Sequence, residues 1–153
     1  MVTLTPNMKN YLRDIRIPIR IGCIDGNGLP RVVSMWFLYK DEVLYCATSK
    51  FAKIVTWLEG NSKCGFEVAP DNPPYCGVRG TGSVEILDDP DKAMLKEIYL
   101  KYCKDTPNQF QNFLFSGGRI EVVLKITIER FMMWNFTRRM EEAEYNTGEI
   151  ICP

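Results

Sequence analysis

The chain has 153 residues, of which 46% are hydrophobic and 25% charged, so it is expected to form one globular domain over 1–153, and intrinsic disorder is excluded. Its 19 basic and 19 acidic residues balance, which excludes a general attraction to nucleic acid or to an anionic membrane. The chain has no histidine. This absence excludes Ser-His-Asp and Cys-His nucleophile systems and histidine-ligated haem or zinc, so any chemistry is expected to come from a bound cofactor.

The first half of the chain predicts two helices and three strands. Thr5 and Pro6 indicate a helix start, strict alternation of isoleucine marks a strand with one buried face, and apolar spacing of three and four residues marks the second helix. In order, the predicted elements are a helix to about residue 16, a strand over 17–23, a hairpin turn over 25–28, a strand over 30–39, a strand over 43–47 and a helix over 51–59.

The second half predicts three more strands, the second of which is long and rich in glycine. Asp88, Asp89 and Pro90 are interpreted as a helix cap rather than as a catalytic pair of carboxylates. The predicted elements are strands over 63–69 and 75–87, a helix ending near 102, a short helix around 110–114, a strand over 119–136 and a polar tail over 137–153. Six strands with hairpins, and no regular strand-helix alternation, predict a mainly β fold in which an antiparallel sheet closes into a small barrel.

The segment 48–53 is the most informative candidate site. Its hydroxyls and lysines stand where a strand is predicted to pass into a helix, whose first backbone N–H groups are unpaired. Lys50 and Lys53 are three residues apart and are expected to share one helical face. With Thr48 and Ser49, they would offer a phosphate monoester two hydroxyls, two ammonium groups and the positive end of the helix. The alternative is that Ser49 is an ordinary N-cap and that both lysines are solvated.

The second candidate is the strand that contains Val33, Ser34, Met35 and Trp36. Its backbone amides and its large ring could line one side of a planar heterocycle. The alternative is a core strand with an aromatic residue near its end.

Two further strands carry weaker candidates. Arg79 lies on a continuous polar face of the glycine-rich strand, which could border a ligand cleft or simply face solvent. Trp134 closes the last strand and could stack on a ring, although such clusters are more often part of a core or a subunit interface.

Taken in order, these segments resemble the pyridoxamine 5′-phosphate oxidase-like, FMN-binding split-barrel family. The resemblance covers about residues 11–136. Its carriers are Asp25-Gly-Asn-Gly-Leu-Pro30, Val33-Ser-Met-Trp-Phe37, Leu44-Tyr-Cys-Ala-Thr48 with Lys53 and Asn61, and Gly77-Val-Arg-Gly-Thr-Gly82 followed by Val84-Glu85.

The resemblance implies a homodimer of six-stranded split barrels with FMN at the subunit interface. It implies that Val33, Ser34, Met35 and Trp36 flank the isoalloxazine ring, and that Thr48, Ser49, Lys50 and Lys53 hold the phosphate. It further implies that Arg79 reaches the flavin and that Trp134 is contributed by the other subunit.

The chain departs from the true oxidases of this family, which are longer and carry a basic substrate-phosphate site near the C-terminus. Only Arg138 and Arg139 remain there, which argues against oxidation of vitamin B6. The leading hypothesis is therefore an FMN-dependent oxidoreductase acting on a small molecule, with no catalytic side chain nominated. The alternatives are a deazaflavin-dependent reductase, a flavin carrier or sensor without turnover, and a dimeric structural module.

The six cysteines form no C-x-x-C pair, which argues against zinc and thioredoxin-like sites. The N-terminus shows no signal segment, and no apolar run approaches the length of a membrane span. A cytoplasmic protein with reduced thiols, no metal site and no membrane contact is expected.

Overall fold

The computed structural model describes residues 3–141. Over this range the chain forms seven strands and five short helices. They are α1 (Pro6–Asp14), β1 (Ile19–Ile24), β2 (Pro30–Met35), β3 (Leu38–Lys40), β4 (Val43–Ser49), α2 (Lys53–Gly60), β5 (Lys63–Val68), β6 (Cys76–Asp88), α3 (Ala93–Tyr102), α4 (Gln109–Leu114), β7 (Glu121–Asn135) and α5 (Thr137–Met140).

The strands form one antiparallel sheet in the order β2-β1-β5-β6-β7-β4-β3. Its two edge strands, β2 and β3, are consecutive in the chain, and only Trp36 and Phe37 separate them. Since three Cα steps span at most about 11 Å, the sheet must curl until its edges lie close together. The mainly β, barrel-like architecture predicted from the sequence is thereby confirmed.

The predicted number of six strands is wrong by one. The predicted strand 30–39 is divided into β2 and β3, because the chain leaves one edge of the sheet at Met35 and joins the opposite edge at Leu38. Phe37 is completely buried at this break and belongs to the barrel core. The division creates the split in the barrel at which the candidate site lies.

The barrel interior is filled by the alternating apolar residues that predicted the strands. Ile19, Ile21 and Cys23 of β1 are buried, as are Leu124 and Ile126 of β7. The long strand β6 pairs with β7 along its whole length and has a register irregularity between Thr81 and Gly82, where the glycine-rich sequence predicts bending.

Local hydrogen bonds close the first hairpin. The Asp25 carboxylate accepts from the backbone N–H of Asn27 and of Leu29 and pairs with Arg31 at 2.8 Å. These contacts, the Leu29 bond first, hold the pKa of Asp25 below its usual value. The turn predicted over 25–28 is thus fixed by the side chain that begins it.

An aspartate carboxylate also caps the start of α3. The Asp89 carboxylate accepts from the backbone N–H of Met94 and of Leu95 at 3.3 and 3.1 Å. The interpretation of the acidic pair as a helix cap is therefore confirmed through Asp89.

The cysteines follow the expectation only in part. Cys23, Cys46 and Cys64 are free and buried, as small core residues. Cys76 is disulfide-bonded, so the expectation of reduced thiols is wrong at that position. Cys152 and most of the predicted polar tail lie outside the described residues.

Candidate functional site

A cavity of about 430 Å³ lies where the break between β2 and β3 faces the start of α2. We call it the split cavity. Its volume falls within the range of small-molecule sites. Its walls are built by Val33, Ser34, Met35, Trp36, Ala47, Thr48, Ala52, Lys53, Ile54, Trp57, Leu95, Ile98, Phe110 and Leu114.

The split cavity brings together six of the ten predicted cofactor-binding residues. Val33, Ser34, Met35 and Trp36 line it from the end of β2 and the break that follows, and Thr48 and Lys53 line it from β4 and α2. Two segments separated by more than ten residues of sequence therefore meet at one site. What these residues bind stays a prediction.

The helix α2 begins at the cavity wall without a side-chain cap. Its N-cap is Ala52, and no side chain bonds to its first N–H groups. The Ser49 hydroxyl instead accepts from the backbone N–H of Phe51 at 3.3 Å. Ser49 is therefore not the ordinary N-cap that the alternative interpretation required. The Val55 N–H donates to the Ala52 carbonyl at 3.0 Å, so the N–H groups of Lys53 and Ile54 are the ones in the first turn that stay open to an acceptor from outside the helix.

Lys50 and Lys53 do not share a helical face. The helix starts at Lys53, so Lys50 precedes it, and its backbone N–H donates to the Ile120 carbonyl. Lys53 lines the split cavity and Lys50 does not. Within residues 3–141 neither lysine forms an ion pair. Of the two expected cations, only Lys53 therefore borders the split cavity.

An aromatic cluster holds Trp36 in the wall of the cavity. The Trp36 ring stacks on Tyr102 with centroids 4.9 Å apart and planes 6° apart. Phe110 meets the Trp36 ring edge-on, at 5.8 Å and 88°. Both arrangements are favourable for aromatic pairs, so the indole is fixed from two sides.

Tyr102 also fastens the break between β2 and β3. Its hydroxyl donates to the Ile17 carbonyl at 2.9 Å and accepts from the Phe37 backbone N–H at 3.3 Å. Burial is the largest cause of the raised pKa of this hydroxyl, which therefore stays protonated. Tyr102 thus orders both the backbone at the break and the ring of Trp36.

Lys101, next to Tyr102, is a partly buried amine beside the same break. Its ammonium lies 3.8 Å from the centroid of the Phe37 ring and donates to the Leu12 carbonyl at 3.2 Å. Burial lowers its pKa to about 8, partly opposed by Asp14.

The partly buried Lys101 predicts a pH-dependent stability difference between the wild type and Lys101→Met. Between pH 8 and about 10.4, the usual value for lysine, the unfolded chain holds a proton that the folded chain has lost. The free energy of unfolding that Lys101 contributes therefore rises with pH in that window. We expect the advantage of Lys101→Met over the wild type to be largest at pH 7 and to shrink by pH 10.

Urea unfolding of both proteins at several pH values measures this difference, in which the titration of the other groups cancels. The control is Lys96→Met, which removes an exposed lysine of the same helix. A difference between the wild type and Lys101→Met that stays constant from pH 7 to pH 10 would contradict the assigned pKa.

The cavity residues of α3 and α4 were not predicted as site residues. Leu95, Ile98, Phe110 and Leu114 follow helical spacing, which predicts only that they pack against something. Because they reach the cavity across more than forty residues of sequence, no local pattern could have placed them beside Trp36.

Arg79 and Trp134 do not line the split cavity of the single chain. Arg79 borders a second groove over β5, β6 and β7, and its guanidinium donates to the Met132 sulfur at 3.6 Å. Trp134 packs against Phe136 at 5.4 Å, and its buried ring N–H has no partner among the described residues. The resemblance assigns Trp134 to the cofactor site of the other subunit. The cofactor-binding roles of Arg79 and Trp134 both stay predictions.

Comparisons with known proteins confirm the fold. Neither a family model nor a curated protein sequence matches the chain. Among solved structures, a conserved hypothetical protein from Mycobacterium tuberculosis has a TM-score of 0.74 and 15% identity, over 97% of this chain and 94% of its own. An F420 reductase has a TM-score of 0.68 and 19% identity, over 84% of this chain and 98% of its own.

A third similar structure is a candidate pyridoxamine 5′-phosphate oxidase from Listeria innocua. Its TM-score is 0.58 and its identity 15%, over 83% of this chain and 91% of its own. At these identities the likeness shows the fold, and it confirms the split barrel that the sequence resemblance predicts.

Two other findings concern the described part of the chain. None of its helices has the length and apolarity that crossing a bilayer requires. Residues 3–141 also contain no group of three or more acidic or cysteine side chains placed to hold a metal ion. A cytoplasmic location stays a prediction.

Proposed function

We propose that this chain, a split barrel of pyridoxamine 5′-phosphate oxidase-like fold, binds FMN in the split cavity and is an FMN-dependent oxidoreductase. One observation supports the proposal above all: the cavity joins an uncapped helix start, and a lysine with no ion-pair partner among residues 3–141, to a strand end followed by a fixed indole ring. A ligand with a phosphate at one end and a planar ring at the other matches both features.

The phosphate would lie at the start of α2. Backbone N–H groups there have no side-chain partner, and the positive end of the helix favours a dianion. Lys53 would supply the opposite charge and Thr48 a hydroxyl donor, since both line the cavity wall. Lysine would act as a point charge, without the bidentate geometry of arginine.

The ring would lie along the end of β2. Val33 and Met35 present apolar surface there, Ser34 adds a hydroxyl, and the edge of the Trp36 indole would end this wall. A tricyclic ring would bury much of its surface against such a wall. The side chains would bind and orient the ring and exclude water from it.

Bound FMN would supply hydride or electron transfer, and the chain would supply orientation and electrostatics. The histidine-free sequence fits this division, because no proton-transferring side chain of the usual type borders the cavity. We assign no catalytic residue.

We further propose that the working protein is a homodimer. Apolar side chains stand unusually exposed on the barrel surface, among them Val32 at 72% and Met132 at 54%. Grooves of about 530 and 730 Å³ cross the same surface and share Gly65, Thr81, Glu129 and Arg130. A second copy would cover this surface and could bring its Trp134 and Arg79 towards the cofactor. Sedimentation equilibrium should then give twice the chain mass of 17.7 kDa.

A deazaflavin coenzyme is the second candidate cofactor. The similar structure named F420 reductase favours it, because that protein matches this chain over most of its length. A deazaflavin coenzyme also carries a phosphate that could use the start of α2. A carrier or sensor would use the same cavity without turnover.

The decisive experiment is to purify the protein and identify its chromophore by mass. FMN should give a yellow preparation with an absorbance band at about 450 nm. NADH or NADPH should bleach the band, and an added acceptor should restore it. A chromophore with the mass of a deazaflavin would replace FMN in the proposal, and binding without bleaching would indicate a carrier. Protein that neither contains nor takes up any flavin would contradict the proposal.

A further inference from the structure

The α3–α4 side of the split cavity carries no charge. Leu95 and Ile98 line it from α3, and Phe110 and Leu114 line it from α4. Lys53, on α2, is the only charged side chain among the lining residues described. The cavity is therefore polar where it meets α2 and apolar where it meets α3 and α4.

Trp36 provides a flat, rigid surface at the border between the two sides. Tyr102 covers one face of the indole and Phe110 meets its edge, and the ring still lines the cavity. The Tyr102 hydroxyl is bonded to the backbone at Ile17, before β1, and at Phe37, after β2. The cluster therefore cannot rotate freely. A preorganised aromatic wall lowers the entropic cost of stacking a second flat ring.

We propose that the α3–α4 side of the split cavity is the substrate subsite and that it takes a planar, uncharged aromatic compound. This inference rests on the proposed function, which places the cofactor's phosphate at Lys53 and so leaves the apolar side for the second reactant.

The chemistry of the wall sets the preference. An aromatic ring is attracted by stacking and by burial of apolar surface between Trp36, Phe110 and Leu114. A carboxylate or sulfonate on that ring would lose its hydration without gaining a partner, because the lining side chains of α3 and α4 offer neither a cation nor a hydrogen-bond donor. The nearby Lys92 ammonium is not a lining group and already donates to the Leu114 and Ser116 carbonyls. The cavity should therefore reject charged analogues of the same shape.

Calorimetric titration of the FMN-saturated protein with 2-naphthol and with 2-naphthalenesulfonate tests this preference. The two probes share a flat bicyclic ring and differ in charge at neutral pH. Saturation with FMN occupies Lys53, which would otherwise attract the sulfonate. We expect 2-naphthol to bind at least about tenfold more tightly.

A charge placed on the wall should change the preference. Leu114→Lys, or Phe110→Lys if that variant folds better, should improve sulfonate binding relative to naphthol by about tenfold. Asn112→Lys is the matched control, because it adds the same charge to an exposed position of α4 that does not line the cavity. It should leave the ratio unchanged.

The outcomes separate the two proposals. Equal affinity for both probes, no binding of either, or an equal response to lysine at 114 and at 112 would overturn the subsite. If the protein takes up no FMN, the proposed function fails. The Lys53→Gln variant without cofactor is then titrated with the same two probes, and the same criteria decide the subsite.

Discussion

Replacing Lys53 by alanine is expected to weaken FMN binding by about tenfold to a hundredfold while leaving riboflavin binding nearly unchanged. Only FMN carries the phosphate, and a charge-assisted hydrogen bond of this kind contributes about 1.5–3 kcal/mol. Lys53 borders the split cavity and has no ion-pair partner among residues 3–141. Its removal therefore deletes an interaction with the ligand rather than a contact within the fold.

Lys50→Ala is the matched control for this measurement. Lys50 lies three residues earlier, is exposed, and does not line the cavity, so its loss should weaken FMN by only a small factor through the general field. Fluorescence titration of both flavins against the wild type and the two variants gives four ratios. Equal losses of FMN and riboflavin in Lys53→Ala would remove the phosphate from the start of α2.

The difference between the two lysines could not be predicted from the sequence. Their spacing of three residues suggests a common helical face only if both lie inside the helix. The apolar pattern around Phe51 and Ile54 fits a helix that starts at 51 as well as one that starts at 53. The observed start at Lys53, after an alanine N-cap, depends on a turn closed by Ser49 and Phe51.

Strands were easier to predict than the closure of the barrel. The alternation of Ile19, Ile21 and Cys23 reflects one buried face, and the structure buries these residues. The segment 30–39 alternates in the same way, and neither Trp36 nor Phe37 is a turn-forming residue. The chain changes edges there because the curled sheet brings its two edges together, and that is a property of the whole sheet.

In the candidate site, too, the parts with a local sequence pattern were predictable and the contacts between distant segments were not. Residues from β2, the break after it, β4 and α2 carry local patterns with a chemical meaning, and six of them line one cavity. The α3–α4 wall has only the pattern of a packing surface. Its role depends on which element it packs against, and that contact joins Phe110 to Trp36 across the chain.

Gly80→Ala is expected to be the most destabilising small substitution in the barrel. A Cβ at this position would lie 2.2 Å from the Arg130 carbonyl oxygen and 2.6 Å from the Phe66 ring. Gly80 is held between Phe66 of β5 and Phe131 of β7 in the sheet, so the carbonyl can move only by distorting the pairing of β6 with β7. Overpacking of this kind costs about 3 kcal/mol, which lowers the melting temperature of a chain of this size by roughly 10 °C.

Thermal unfolding followed by circular dichroism measures this loss, and Gly117→Ala is the control. A Cβ at Gly117 meets no atom within 4 Å, so its melting temperature should stay within about 2 °C of the wild type. Gly80 lies opposite Phe66, a residue of the barrel core. Gly80→Ala therefore tests the close pairing of β5, β6 and β7 on which the split barrel depends. A wild-type melting temperature for Gly80→Ala would show that β5, β6 and β7 do not meet as closely as described.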